Sequence, residues 1–570
     1  MNLQPPIPVR HALVYAMCAC MVMLASTLWA GPSSGGGPEG QSAGPGKAEL
    51  AQFGERMYRE GILPSGAPMQ ALIKGDITVD GTAFTCVSCH LRSGLGSSEG
   101  GIVTPPTNGD KLFHPVKAYY KGFEIISSVP RRPAYTDRTL ADVIQGGVDP
   151  TGREIDEVMP RYHMDDTSMA ILIDYLRGLS SGPTPWHTDN TLSFATVISE
   201  GVKPEDRDAM LAPLEAYIKL KNDQAAIYES DGKQARMAEA MVRSRETPYL
   251  RLSLAKWVLK GPPETWRGQL DEYSRKGPVL ALLGGMVVGD WRPVHEFCEE
   301  NRIPCVFPVT DFPVISDTDW YTLYISKGYY QEGESAARYL GGLDGRQVDG
   351  KVLQIVGASR TGRALSEGFE KTWDGMGNKK PVTIKLKEGE TLTAKALGRL
   401  MEKERPSILV LWTGPESLPA LDAVAAGKNR PEAAVVSYGA LGKDLWSLKE
   451  DVRDFTYITY PYRLPQDEAR LRFYIPGVGV PSLKGDCNNI MKRAYSVTTV
   501  LTATLMDMRG NYYRDNFLDL TGMMMDVEAP LYVRLSFGPG QRYAVKGCYI
   551  VQLTKGPSPS LVKMGDWVIH

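Results

Sequence analysis

Cys86-Val87-Ser88-Cys89-His90 puts two thiols and an imidazole on one short turn. C-x-x-C-H is the pattern that attaches a c-type haem. Both thiols add to the haem vinyl groups, and the adjacent imidazole is held against the iron. The spacing matters because one turn must set two sulfurs at the porphyrin edge and the next side chain at the metal. A surface redox or zinc pair with an incidental histidine is the plainer alternative. A zinc site needs a second thiol or histidine pair nearby, and this part of the chain has none.

That chemistry belongs outside the cytoplasm, and the N-terminus fits export from a bacterial cell. Arg10 and His11 precede an apolar run from Ala12 to Ala30, and Gly31-Pro32-Ser33-Ser34 follows. This pattern predicts a signal peptide over residues 1–30 and a periplasmic location. The run is also long enough to span a bilayer, so an uncleaved segment would act as a membrane anchor. Apolar residues continue beyond Cys18 and Cys20, which argues against a lipid-modified cysteine.

Of eight cysteines, two fall in the predicted signal and two in the haem motif. In an oxidising compartment the remaining four, Cys298, Cys305, Cys487 and Cys548, are expected to form disulfides, most simply Cys298–Cys305 and Cys487–Cys548. Four cysteines allow three pairings, and the sequence leaves the choice open. Net charge is −2, with no basic run and no aromatic-basic interleaving. Nucleic acid is therefore not an expected partner.

The elements that position the motif come next. Residues 31–47 are rich in Gly, Pro and Ser and predict a flexible leader. Leu50, Phe53, Gly54, Met57 and Tyr58 share one helical face, as do Met169, Leu172, Ile173 and Leu176. Asp165, Asp166 and Thr167 are candidate N-caps for the second helix. With the motif, the Gly54/Tyr58 helix and Met159-Pro160-Arg161-Tyr162 before a last helix ending Tyr175-Leu176-Arg177-Gly178-Leu179, residues 48–182 resemble a small monohaem cytochrome c.

The resemblance implies an all-α domain in which Gly54 allows the terminal helices to cross closely and Tyr58 packs on Leu172 and Tyr175. It implies one covalent haem c, with Cys86 and Cys89 attached, His90 the proximal ligand and Met159 the distal one. His114, His163 and Met164 compete for the distal place. A histidine there would lower the potential, whereas a thioether favours ferrous iron and raises it. The carbonyl of Pro105 or Pro106 is expected to orient His90 through its second nitrogen.

Beyond Ser181-Gly182-Pro183-Thr184-Pro185, strand and helix patterns alternate. Leu192–Ile198, Val279–Leu283 and Ile303–Phe307 read as strands, separated by helices. A second series runs through Lys351–Gly357, Ser407–Trp412 and Ala434–Tyr438. The order implies parallel strands with helices on both faces. In strand order and in Gly284-Gly285, Ile303-Pro304 and Gly357 to Gly368, residues 190–570 resemble the type I, leucine-binding periplasmic binding proteins. The expected fold class is thus multidomain, an all-α cytochrome c domain followed by a two-lobed α/β periplasmic-binding-protein-like domain.

That second resemblance implies a small-molecule ligand between the lobes, at loops after the strand C-termini. Gly285, Met286, Ser359, Thr413 and Ser437 are candidate positions, and the ligand is unknown. Gly357–Ala364 imitates a P-loop but has Arg363 and Ala364 where that loop needs Lys and Ser or Thr, which argues against nucleotide. Ser536–Arg542 reads as a hairpin turn, and His295 as a helix-surface residue.

The expected function is an exported cytochrome that transfers electrons to a redox partner protein, with a ligand-binding module that gates or targets the transfer. Its role is that of a carrier rather than a catalyst. Two alternatives stand beside it: an oxidoreductase with haem as electron acceptor, and the solute-binding protein of a transport system.

Overall fold

The computed structural model describes residues 45–74, 77–99, 102–115, 132–229, 250–342, 351–468, 486–538 and 540–569. The expected signal peptide and leader residues 31–44 lie outside them. No helix among the described residues is long and apolar enough to cross a membrane. Residues 51 onward form one compact unit.

In the N-terminal region, the helix Lys47–Glu60 carries the expected apolar face, with Gly54, Met57 and Tyr58 buried. The helix Asp166–Gly178 is capped by the Asp165 carboxylate, which accepts from the Ser168 amide. The two helices meet at Gly54. A Cβ there would lie 2.4 Å from Tyr175 Cβ and 3.0 Å from the Ile171 carbonyl oxygen. The Tyr58 and Tyr175 ring centroids are 5.6 Å apart. The helix Asp137–Gly146 completes the core with Leu140, Val143 and Ile144.

The region is not all-α, which corrects the sequence expectation. Gln70–Ile73 pairs antiparallel with both Ile77–Asp80 and Arg161–His163. Ser97–Glu99 and Ile102–Thr104 form a second antiparallel pair. These strands are three or four residues long, too short for a period of two to stand out in sequence. Backbone groups close to a small core still need partners, and strand pairing supplies them.

The α/β region has two sheets. The first runs Thr322–Leu323, Cys305–Val306, Leu282–Leu283, Thr191–Ser199, His187–Thr188, with Arg251–Leu259 also paired to Thr191–Ser199. Its pairings are parallel except at His187–Thr188. The second runs Val382–Lys385, Val352–Val356, Ile408–Trp412, Ala433–Ser437, Thr456–Tyr460, Gly547–Leu553, Leu561–Lys563. Its first five strands are parallel. Val352–Val356 and Ile408–Trp412 are buried at every position, as expected of strands covered by helices on both faces.

These sheets make two lobes, and the chain crosses between them three times. It leaves the first after Thr322–Leu323 for the helix Tyr329–Gly342, which packs on Val352 and Val356. After Thr456–Tyr460 it returns as the helix Asp486–Met508, whose Val497, Val500 and Leu501 join the first lobe's core. It crosses again to reach Gly547–Leu553. At the first crossing Gly328 has φ +58°, and a Cβ there would lie 2.0 Å from the Asp311 carbonyl oxygen. Only glycine fits such a turn.

Candidate functional site

The C-x-x-C-H segment folds as a single helical turn, Val87–His90. The His90 amide donates to the Cys86 carbonyl at 2.9 Å, which stacks the imidazole one turn beyond the first thiol. His90 is buried, and its Nδ1 lies 2.8 Å from the Pro105 carbonyl oxygen. A carbonyl only accepts, so Nδ1 carries the proton and Nε2 keeps its lone pair. Burial lowers the pKa of His90, with the Pro105 hydrogen bond opposing it, and this favours the neutral imidazole. Of the two expected orienting carbonyls, Pro105 is the one used.

The turn is held on two further sides. Leu91 takes φ +64° directly after His90, and its carbonyl accepts from the Tyr58 hydroxyl at 2.8 Å. Tyr162 donates its hydroxyl to the Phe84 carbonyl at 2.6 Å. Burial raises the pKa of the Tyr162 hydroxyl, and the neighbouring Cys86 and Cys89 thiols add to the shift. Cys86 is partly buried and Cys89 exposed, and neither is bonded to another cysteine.

Met159 is half-buried, three residues before Tyr162. Arg161 pins its loop by donating to the carbonyls of Met159 and Ile155. Gly147, at φ +75°, admits that guanidinium, since a Cβ would lie 2.0 Å from Arg161 Nε. His163 and His114 are exposed, and His114 Nδ1 contacts the Asp110 carbonyl. Met164 is half-buried against the core beside the Asp165 cap. Among the described residues no three His, Cys, Asp or Glu side chains cluster as a metal site. A haem draws on different donors: two thioether links, an imidazole with a bare Nε2, and a soft sulfur. The residues present fit that set.

The four remaining cysteines divide differently from the expectation. Cys298 and Cys305 are fully buried; burial raises the pKa of the Cys298 thiol, with the neighbouring Cys305 adding to the shift, and the two are not joined. Cys487 donates to Asp206 Oδ1 at 3.4 Å, whereas buried Cys548 lies against the Gln331 carbonyl at 3.9 Å. The Cys487–Cys548 bond is not formed in the structure. The helix that carries Cys487 belongs to the first lobe and the strand that carries Cys548 to the second, so their spacing in sequence misleads.

Between the lobes, the structure gathers residues that, Ser437 apart, the sequence did not single out. Arg493 donates to Asp311 Oδ1 at 2.6 Å and to the Tyr462 hydroxyl at 3.0 Å. Tyr329 packs against Phe312 with the rings tilted by 46° and their centroids 5.2 Å apart, and it donates to the Gly439 carbonyl. Arg360, in the second lobe, reaches the first, pairing with Asp290 at 3.3 Å and covering the Phe312 ring at 4.2 Å. Buried Glu332 accepts from the Ser437 and Thr459 hydroxyls at 2.7 and 2.6 Å. Burial pushes its carboxyl up to about 7, with those two hydrogen bonds opposing.

Of the five candidate positions, Gly285 and Met286 lie in the loop after Leu282–Leu283 that leads to Asp290. A Cβ on Gly285 would lie 2.6 Å from the Trp291 ring. Ser359 caps the helix Arg360–Gly375 by accepting from the Gly362 amide. Thr413 is buried, and Ser437 is turned to Glu332. Arg360 therefore joins the Gly285 loop to the Ser359 cap across the lobes.

His295 is not a surface residue. It is buried, with Nε2 2.8 Å from Asp319 and Nδ1 3.1 Å from the Tyr324 hydroxyl. Within the expected Ser536–Arg542 turn, the Gln541 amide donates to the Gly538 carbonyl and the Ser536 amide to the Ala544 carbonyl, and Pro539 lies outside the described residues.

No family model matches the chain, and no curated protein matches it. Solved structures do. A solute-binding protein of an ABC transporter from R. palustris, in complex with benzoate, is 12% identical over 66% of this chain and 96% of its own, with a TM-score of 0.44. A putative branched-chain amino acid ABC transporter from Rhodospirillum rubrum gives 13%, 67%, 99% and 0.44. A branched chain amino acid ABC transporter from Thermus thermophilus with bound valine gives 14%, 67%, 97% and 0.43.

Proposed function

We propose that this protein is an exported electron carrier that joins one covalent haem c to a two-lobed ligand-binding module. The observation that carries the reading is the C-x-x-C-H turn with His90 Nδ1 on the Pro105 carbonyl, which leaves Nε2 as a metal donor. When bound, the haem would supply reversible one-electron chemistry. Cys86 and Cys89 would hold it, His90 and Met159 would be its protein ligands, and a redox partner protein would exchange the electron. The Pro105 bond keeps the imidazole in one tautomer and one orientation, as outer partners of metal-bound histidines commonly do. Arg161 keeps the Met159 loop in place.

The test is the visible spectrum of the purified exported protein, oxidised and reduced, then with carbon monoxide added to the reduced form. A low-spin spectrum with the far-red sulfur–iron band and no carbon monoxide binding is expected. Absence of covalent haem sinks the reading. A low-spin spectrum without the sulfur–iron band moves the distal role from Met159 to His163 or His114.

A second reading is a solute-binding protein of a transport system, with the N-terminal region as an accessory. The observation that favours it is Arg360–Asp290, which ties together the loops after parallel strands of both lobes. Calorimetric screening of small carboxylates and amino acids against the full chain tests it. A tight ligand in a protein devoid of haem would put this reading first.

A further inference from the structure

The N-terminal region meets the α/β region at the segment directly after His90. The Ser93 amide donates to Asp519 at 2.8 Å and the Arg92 amide to the same carboxylate at 3.3 Å. The Arg92 guanidinium lies 4.3 Å from the Trp320 ring centroid, and Arg542 lies 3.8 Å from the same ring. Two cations thus share one indole at a seam where Arg92 and Trp320 are half-buried and Arg542 is 6% exposed.

Four N–H donors here have no acceptor: Arg92 Nε, Trp320 Nε1, and Arg542 Nε and Nη1. Stacking on an aromatic face satisfies the charge of a guanidinium but not the N–H groups in its plane. Nearby carboxylates are otherwise engaged. Asp519 takes the two amides above, and Glu299 accepts from the amides of Trp320, Tyr321 and Thr322 at 2.7–2.8 Å. Asp519 and Glu299 offset the charge of the two guanidinium groups, but buried donors are rarely left unmade, and the open N–H groups still ask for an acceptor. Planar guanidinium groups match the forked oxygens of a carboxylate or phosphate.

We infer that Arg92, Trp320 and Arg542 form a binding site for a small oxyanion, a carboxylate or phosphate group, at the seam between the two regions. Its donors come from both regions, so the occupant also ties them together. Two sources have this chemistry: a free anion, or a carboxylate of the haem itself. Only the second depends on the haem reading.

Isothermal calorimetry of the full-length exported protein with sodium acetate and sodium phosphate, against sodium chloride at equal ionic strength, separates these sources. One-to-one binding that weakens at least tenfold in Arg542→Gln assigns the site to a free anion. No added anion binding, with a midpoint potential lowered in Arg542→Gln and largely restored in Arg542→Lys, assigns it to the haem carboxylate. Trp320→Phe keeps an aromatic face and removes one donor. It should reproduce the weaker form of whichever effect is seen, and it serves if Arg542→Gln fails to fold. No anion binding together with an unchanged potential in folded Arg542→Gln or Trp320→Phe means the donors hold water only, and overturns the site. In a protein without haem, calorimetry alone decides.

Discussion

The C-x-x-C-H turn and the junction between the lobes solve opposite problems. At the turn, the reactive groups are consecutive in sequence, and a few neutral hydrogen bonds orient them. At the junction, Arg493, Asp311, Glu332, Ser437 and Thr459 come from distant parts of the chain and carry charge into the interior. The first arrangement places chemistry at little cost to folding. In the second, the same groups carry both structure and any function, so altering one changes stability as well.

The largest effect tests this contrast at the turn. Replacing Cys86 and Cys89 by Ala should abolish covalent haem, read by haem staining of a denaturing gel. The α/β region should still unfold cooperatively, because neither thiol contributes to its cores. Loss of the whole fold would break the comparison.

At the junction the expectation reverses. Asp311→Asn leaves the Arg493 guanidinium without its carboxylate; Asp311 is 44% exposed, so solvent screens the pair and the loss should be about 1 kcal/mol. Urea unfolding should show this, while the visible spectrum stays unchanged.

Glu332 sharpens the comparison through pH. Its carboxyl is raised from an ordinary 4.5 to about 7 in the folded chain. A folded state that binds the proton more tightly loses stability as pH rises from the unfolded pKa to the folded one. Stability should therefore fall between about pH 4.5 and 7 by up to about 3 kcal/mol, then level off. Glu332→Gln cannot ionise and should flatten that slope, gaining on the parent at pH 8 relative to pH 5. Parallel slopes in the two proteins would show that Glu332 does not titrate in this range.

The smallest effect belongs to Arg360. Its pair with Asp290 is two-fifths exposed, and such pairs contribute about 0–1 kcal/mol. Arg360→Gln should barely move the unfolding midpoint but should expand the molecule in small-angle scattering if that contact holds the lobes together.

What the sequence disclosed follows the range of the interactions. The Gly54–Tyr175 crossing was legible because helical periodicity marks both faces. The His90–Pro105 contact was legible because the partner lies 15 residues on, in the same region. The strand Arg161–His163 was hidden, since three residues show no period. His295 was misread because what buries it, Asp319 and Tyr324, sits 24 and 29 residues later on other elements. Nothing local marked Arg92 or Asp519, and the parallel strand order of the lobes gave no hint of which side chains would face one another between them.

The contact of Ser93 with Asp519 spans 426 residues. A chain emerging from its N-terminus presents Cys86 and Cys89 long before Trp320, Asp519 and Arg542 exist to cover the segment beside them. The second lobe's five parallel strands, Val352 to Tyr460, are contiguous, whereas the first lobe's core waits for Val497 to Val545. Order of assembly is thereby written into the topology. On the haem reading proposed above, attachment at the thiols would have a window that opens with synthesis of the motif and narrows as the C-terminal segments dock. A slow attachment apparatus would compete with completion of the fold rather than follow it.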